Sequence, residues 1–386
     1  MPEITKPLIP ERKKLLGLDH LRAFAITIVF LYHYQIFGHP DWEQRIFGFG
    51  WTGVDLFFVL SGFLIAGQLF DRIKKEKSIS FSDFFLKRFF RIIPAYLTIL
   101  LLYFFFPFLR ENEQMAPLWR YLSFTLNFGL DLKKTGTFTH SWSLCIEEQF
   151  YLLLPLTILL LNYFKVGKKA IYLIAAIFLT CFITRILIWN STIKPVLNSN
   201  DLGAIWHENI YYPTYCRLDG LLIGVAIAGL FTFYPEVKRR LNNYSNWLLL
   251  TGITCLIASY FICEVNTGFN ATVYGFSLIA FSYGLILMAV VSPLNVIYNI
   301  KSAITSQLAT LSYSIYLTHK MMIHLTQHFF ENMGIDKNSN LMLLLCVVSS
   351  LVGALLLRNT VEKPALKIRD KILNSINNKD TAVLST

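Results

Sequence analysis

Arg22 and His33 stand eleven residues apart, and the ten residues between them, AFAITIVFLY, are almost wholly apolar. In an α-helix that separation is about three turns, roughly 16 Å along the axis, and it returns to within about 20° of the same face. A cation and an imidazole therefore look into one groove at two depths. Histidine is the side chain suited to taking a proton near neutral pH, and a neighbouring acid can fix its ring. Asp55, in WTGVDLFFVLSGFLIAGQLF, and the adjacent Glu147 and Glu148, in WSLCIEEQFYLLLP, are carboxylates inside apolar runs. If successive runs cross a membrane in alternate directions, all three reach about the depth of His33, which makes a general base with its orienting acid. Adjacent helical residues diverge by about 100°, so the two glutamates cannot face one groove alike. Glu147 shares a stripe with Ser143 and Tyr151 and is the better cavity residue. The competing reading is that these groups are interhelical hydrogen bonds that only hold a bundle together.

Three further stretches carry unusual polar groups. In FSDFFLKRFFRIIPAY, Phe81, Phe84, Phe85, Phe89 and Ile92 alternate with Lys87, Arg88 and Arg91. That pattern predicts an amphipathic interfacial helix stopped by Pro94. Arg88 and Arg91 are i,i+3 neighbours, and two guanidiniums on one face suit a phosphate; the alternative is anchoring at the membrane surface. In YCRLDGLLIGVAIAG, Arg217 and Asp219 fall on nearly opposite faces and are expected to pair with other helices or line separate cavities. Gly220, Gly224 and Ala228 form a seam of small residues there. In LSYSIYLTHKMM, Tyr313, Tyr316 and Lys320 have helical spacing, and with His319 they predict a polar stripe facing a pocket in the bundle.

The elements that position these residues follow from composition. The 386 residues are 54% hydrophobic and 15% aromatic with only 15% charged, which excludes an ordinary water-soluble globule. Spans of about 20 apolar residues fit at 21–38, 52–70, 93–109, 142–163, 170–189, 213–234, 246–263, 271–291, 307–330 and 340–357. The expected fold is an all-α, polytopic membrane bundle of about ten helices. The stretch 118–130 is too short to cross and reads as re-entrant or interfacial. Lys and Arg favour the cytoplasmic side; with the N-terminus inside, cytoplasmic segments hold 24 of them against 7 outside. Both termini are thus expected inside. The net charge of +11 is then topology signal and attraction to anionic lipid, with no need for nucleic acid.

One transmembrane domain over 1–370 and a short polar tail over 371–386 are expected. MPEITKPLIPERKKLLGLDH is polar and basic with no small-residue cleavage site after it, so the first span reads as an uncleaved insertion signal. The six cysteines show no CxxC pair and read as small buried hydrophobes, with neither metal nor disulfide. His39, His140, His207, His324 and His328 lie at span edges or in loops and receive no role; His20 reads as interfacial. No HExxH, phosphate-binding Gly-rich loop or serine nucleophile elbow occurs, so metalloprotease, ATPase and hydrolase readings lack support.

Taken in order, these motifs resemble the acyltransferase family 3 membrane proteins, which O-acetylate or otherwise O-acylate bacterial surface glycans and some small molecules. The likeness runs from LDHLRAFAI at 18–26 to VEKPALKIR at 361–369. The family's Arg-x10-His pattern matches Arg22 and His33, and GVDLFFVLSGFLI matches 53–65. RxxRIxPxY matches Arg88 to Tyr96, WSLxxEEQFYL matches 142–152, RLDGLLIG matches 217–224, and YSIYLxH matches 313–319.

The resemblance implies a bacterial inner-membrane enzyme that takes an acyl group, usually acetyl from acetyl-CoA on the cytoplasmic side, to a hydroxyl of a glycan or lipid-linked glycan. Acyl-CoA is then a donor substrate, no cofactor is permanently bound, and the remaining partners are membrane lipids. Arg22, Arg88 and Arg91 are expected to hold the CoA phosphates. His33 is expected to be the base, with Asp55, Glu147 or Glu148 beside it, and Arg217, Asp219, Tyr313, Tyr316 and His319 lining the pocket. Longer relatives carry an extracytoplasmic esterase-like domain, and none is expected after the tenth span. The competing class is a proton-coupled secondary transporter, whose intramembrane charges would bind and release substrate. Outer stretches 110–141 and 190–212 are where acceptor selectivity is expected.

Overall fold

The computed structural model describes residues 16–76 and 80–383, which are helical with no β-strand among them. Ten principal helices coincide with the ten apolar stretches: α1 (Leu16–Tyr34), α2 (Gly53–Lys74), α3 (Phe81–Phe105), α4 (Trp142–Tyr163), α5 (Ala170–Ile188), α6 (Asp219–Phe233), α7 (Ser245–Ile262), α8 (Phe276–Val290), α9 (Ala303–Glu331) and α10 (Asn340–Leu357). Among the described residues, seven helices are long and apolar enough to cross a membrane: α2, α3, α4, α5, α7, α8 and α10, some lengthened by flanking turns. An eighth counts if α6 and Pro235–Asn243, bent by 106° from each other, form one span. Helices α1 and α9 fall outside that set; α1 carries Asp19, His20, Arg22 and His33, and α9 carries Tyr313, Tyr316, His319 and Lys320 among many other polar residues.

Packing divides the helices into a centre and a rim. Helix α5 buries only Cys181 and Arg185 and exposes Ile171, Leu179, Ile183 and Leu187, as a helix facing hydrocarbon does. Helix α1 instead packs against α9 and α2. Helix α6 lies so close on α2 that a Cβ at Gly62 would meet the Leu221 carbonyl oxygen at 2.1 Å, and one at Gly224 the Val59 carbonyl oxygen at 2.3 Å. The small-residue seam is therefore the α2–α6 contact, where absent side chains let two backbones touch.

Two expectations about chain breaks change. Helix α3 begins at Ser80, whose hydroxyl accepts from the Asp83 N–H, and runs through Pro94 to Phe105 without stopping. A proline costs one backbone hydrogen bond, a loss that neighbouring helices in an apolar bundle offset. The polar tail continues as the helix Lys363–Val383, joined to α10 by a wider turn over Arg358–Glu362. The stretch 118–130 forms only the short helix Leu118–Leu122 followed by turns, and it does not cross the bundle. The signal-peptide reading of the N-terminus rests mainly on residues 1–15, which lie outside the described residues. All six cysteines are free thiols, five of them buried.

Candidate active site

A cavity of about 150 Å³ opens among α1, α2, α3, α4 and α9. Arg22, Arg88 and Arg91 line it together with Ser61, Glu147, Tyr151, Ser143 and Tyr316. The three arginines come from the N-terminal halves of α1 and α3, so the Arg-x10-His and RxxR motifs meet in space. Arg88 reaches the neutral amide oxygen of Gln68 at 3.4 Å and lies 5.7 Å from the centre of the Tyr151 ring. Its Nε has no hydrogen-bond partner. Arg91 is tethered to Glu362, which also accepts from Ser314 Oγ at 2.9 Å. Glu362 had no role in the sequence, yet it ties α3, α9 and the turn after α10 at the cavity wall.

Glu147 accepts hydrogen bonds from Ser61 Oγ at 3.0 Å and Tyr151 Oη at 2.7 Å. Glu148 does not line this cavity, and its Oε1 is buried and unpartnered. Neither glutamate hydrogen-bonds His33. Further along the cavity, Tyr316 donates its hydroxyl proton to the His140 carbonyl oxygen and accepts from Ser143 Oγ at 2.6 Å. Tyr313 lines the same cavity and bonds the Ile92 carbonyl oxygen at 2.9 Å.

Beyond Tyr316 three imidazoles gather. His33, from the last turn of α1, places Nδ1 2.8 Å from Nε2 of His319 on α9. Their ring centroids are 5.0 Å apart. His140, in the turn Thr139–Ser141 that opens α4, sits 5.0 Å from the His319 ring and 6.0 Å from the His33 ring. It is only 2% exposed, and neither ring nitrogen has a partner. Sequence reasoning passed over His140 because it falls at a span edge. Its position immediately before WSL, on the helix that supplies Glu147, was the available signal. Lys320 closes the cluster by pairing with Glu111 at 3.1 Å, and Glu111 in turn accepts from the Phe138 N–H. The stretch 110–141 is thus folded down over the imidazoles.

Asp55 is not beside His33. It pairs with Arg217 at 2.9 Å, and the Arg217 guanidinium is wedged against Phe276, Tyr211 and Trp142, with its carbon 4.0, 4.6 and 5.5 Å from the ring centres. Asp219 pairs with Arg185 and accepts from Ser277 Oγ at 3.1 Å. Arg217 and Asp219 accordingly line neither cavity described here; their partners sit on other helices because an unpaired charge in an apolar bundle is costly.

A second cavity, of about 380 Å³, lies at the His33 end of α1. Tyr32, Gln35, Arg45, Tyr260, Glu264 and Asn266 contribute to its wall. Tyr32 connects it to the cluster, its ring 5.8 Å from that of His33. No group of three or more His, Cys, Asp or Glu among the described residues is arranged to hold a metal ion.

The acyltransferase domain family, acyltransferase 3, matches residues 15–359, and the chain belongs to that family. It is 28% identical over 343 residues to a peptidoglycan O-acetyltransferase, OatA, of Listeria monocytogenes, covering 83% of this chain and 51% of that one. It is 27% identical over 334 residues to the O-acetyltransferase OatA of Staphylococcus aureus, covering 81% and 51%. The chain thus spans about half the length of these curated relatives. No solved structure matches it significantly. Family and apolar helices together make this an integral membrane protein.

Proposed function

We propose that the chain is a membrane O-acyltransferase that takes acetyl from acetyl-CoA at the cytoplasmic side and gives it to a glycan hydroxyl at the outer side. The observation that carries this reading is that the His33–His319 cluster, which lines neither cavity itself, abuts Tyr316 of one and Tyr32 of the other, and the two cavities are unlike. On one side three arginines face a half-open cavity suited to the phosphates of CoA. On the other, amide, carboxylate, guanidinium and phenol groups mix with aromatic rings, the wall chemistry that suits sugar hydroxyls and sugar faces. In this reading all ten principal helices cross a bacterial cytoplasmic membrane, both termini are cytoplasmic, and α1 spans from the donor end to the acceptor end. Its eleven-residue step of roughly 16 Å is within reach of the flexible pantetheine arm. The name of the Listeria relative supports a glycan acceptor, peptidoglycan or another surface polymer.

The chemistry is direct transfer. His33 takes the proton of the acceptor hydroxyl, whose oxygen adds to the thioester carbonyl. The tetrahedral adduct collapses by breaking the carbon–sulfur bond, and the CoA thiolate recovers the proton from the His33 imidazolium. Loss of such a base typically costs about 10²–10⁴-fold in rate. Membranes given labelled acetyl-CoA are therefore expected to label surface polysaccharide with the native chain and to label it at least a hundredfold more slowly, about the lower limit of that range, with His33→Ala at matched expression. A folded His33→Ala protein with ordinary turnover would remove His33 from the reaction, and solute uptake without acyl-CoA consumption would return the chain to the transporter class.

A further inference from the structure

We infer that His319 is a positioning residue that fixes which nitrogen of His33 is basic. This rests on the reading of His33 as the base. His319 is wholly buried, and its Nδ1 lies 3.1 Å from the Ile315 carbonyl oxygen and 2.9 Å from that of Tyr316. Carbonyl oxygens only accept, so Nδ1 of His319 carries a hydrogen. In a neutral imidazole the other nitrogen is then a bare acceptor. That nitrogen, Nε2, faces Nδ1 of His33 at 2.8 Å, so His33 must donate from Nδ1. Its own Nε2 is left with a free lone pair.

The deduction requires His319 to be neutral. No carboxylate hydrogen-bonds either ring. The rings around the pair are His140 from the turn that opens α4, Tyr32 and Phe30 on α1, and Tyr316 on α9, none of them a carboxylate. The nearest charge on α9 itself is the Lys320 ammonium, already matched by Glu111. A second positive charge at His319 would have nothing to hold it. The 2.8 Å approach is also a hydrogen-bond distance rather than the edge of a metal site, whose two nitrogens would each stand about 2.0–2.1 Å from the ion and farther from each other.

The orienting partner of this base is thus an imidazole on α9 rather than a carboxylate. A helix-internal histidine does this well because its Nδ1 can be tied to carbonyls one turn back, which leaves Nε2 projecting from the helix in a single orientation.

The test uses the full chain in lipid nanodiscs with ¹⁵N-labelled histidine. In the native protein the His33 resonances, assigned by their loss in His33→Gln, are expected to show hydrogen on Nδ1 and a bare Nε2. In His319→Leu the two tautomers are expected to mix, and kcat to fall on the order of 10²-fold with little change in KM for acetyl-CoA. In His319→Gln the amide oxygen can still accept from Nδ1, so the native tautomer and most of kcat are expected to return. A His33 that carries its hydrogen on Nε2 in the native protein would overturn the inference whatever His33→Ala does. So would native kcat and tautomer in His319→Leu, and if that variant does not fold, the native spectrum and His319→Gln still decide. Ordinary turnover by His33→Ala alongside the expected spectrum would instead overturn the base reading while leaving the tautomer assignment in place.

Discussion

Charged residues lie inside the bundle in two regions that are built differently. Around α6 they are sealed: Arg217 with Asp55 and Arg185 with Asp219 have side chains 0–3% exposed, and aromatic rings cover guanidinium nitrogens that lack a polar partner. Around the first cavity they stay open: Arg88 meets only a neutral amide and a ring, and Arg91, although tied to Glu362, remains 37% exposed. Both sets are ionisable groups within apolar helices, the kind taken by default as functional. The contrast shows that a charge within a span belongs to a site only when part of it is left for a visitor. A pair sealed from any visitor pins helices together.

The largest expected effect lies in the sealed region. Arg217→Ala strands the buried Asp55 carboxylate, and breaking such a pair costs about 3–5 kcal/mol, enough to leave little folded protein in membranes. Replacing both partners by leucine is expected to recover much of that loss, since well-packed apolar residues often match a buried pair. Thermal unfolding of the purified single and double variants, followed by size-exclusion profile, measures this. If Arg217→Ala folds normally and loses only acyl-CoA binding, the sealed pair belongs to the site and the contrast fails.

The open region is expected to respond in the opposite way. Arg88→Ala removes a guanidinium with spare donors at the cavity wall. A hydrogen bond to a charged group contributes about 1.5–3 kcal/mol, so KM for acetyl-CoA is expected to rise roughly tenfold to a hundredfold with unchanged unfolding temperature. Titration of acetyl-CoA in the transfer assay, beside a melting curve, separates the two regions directly. A drop in stability without a change in KM would place Arg88 with the sealed pairs.

This difference was only partly legible in the sequence. The helical bundle could be read because apolar length is a one-dimensional property, although seven or eight helices among the described residues, not ten, are long and apolar enough to span, and the meeting of Arg22 with Arg88 and Arg91 followed from motif and span order. What escaped were the depth and rotation of single side chains within the bundle. Asp55 follows Gly53, which packs on Ala25 and Val29 below His33, and Glu147 stands seven residues, about 10 Å, along its helix from His140; one turns to Arg217 and the other to Ser61 and Tyr151. His319 was visible as a polar stripe residue, whereas its direct bond to His33 depends on the packing of α1 against α9. Pro94 misled because its effect in water is larger than among helices that shield the backbone.

The smallest expected effect concerns the second cavity, where the argument is about shape and weak contacts. Tyr260 stands in its wall and packs edge-on against Phe49, their centroids 5.5 Å apart. Half-exposed at 48%, it offers a ring face and a hydroxyl without supporting the core, so Tyr260→Ala is expected to leave unfolding unchanged. Losing one such contact, a neutral hydrogen bond of about 0.5–1.5 kcal/mol, predicts a severalfold rise in KM for the glycan acceptor. KM for acetyl-CoA should stay fixed, because in the proposed reading that substrate is held at the far end of α1. The comparison with Arg88→Ala is the sharper result: one variant should move only the donor constant and the other only the acceptor constant. If Tyr260→Ala leaves both constants untouched, the acceptor reaches His33 by another route. The stretch 110–141, folded over the imidazole cluster through Glu111 and Lys320, is then the wall to vary next.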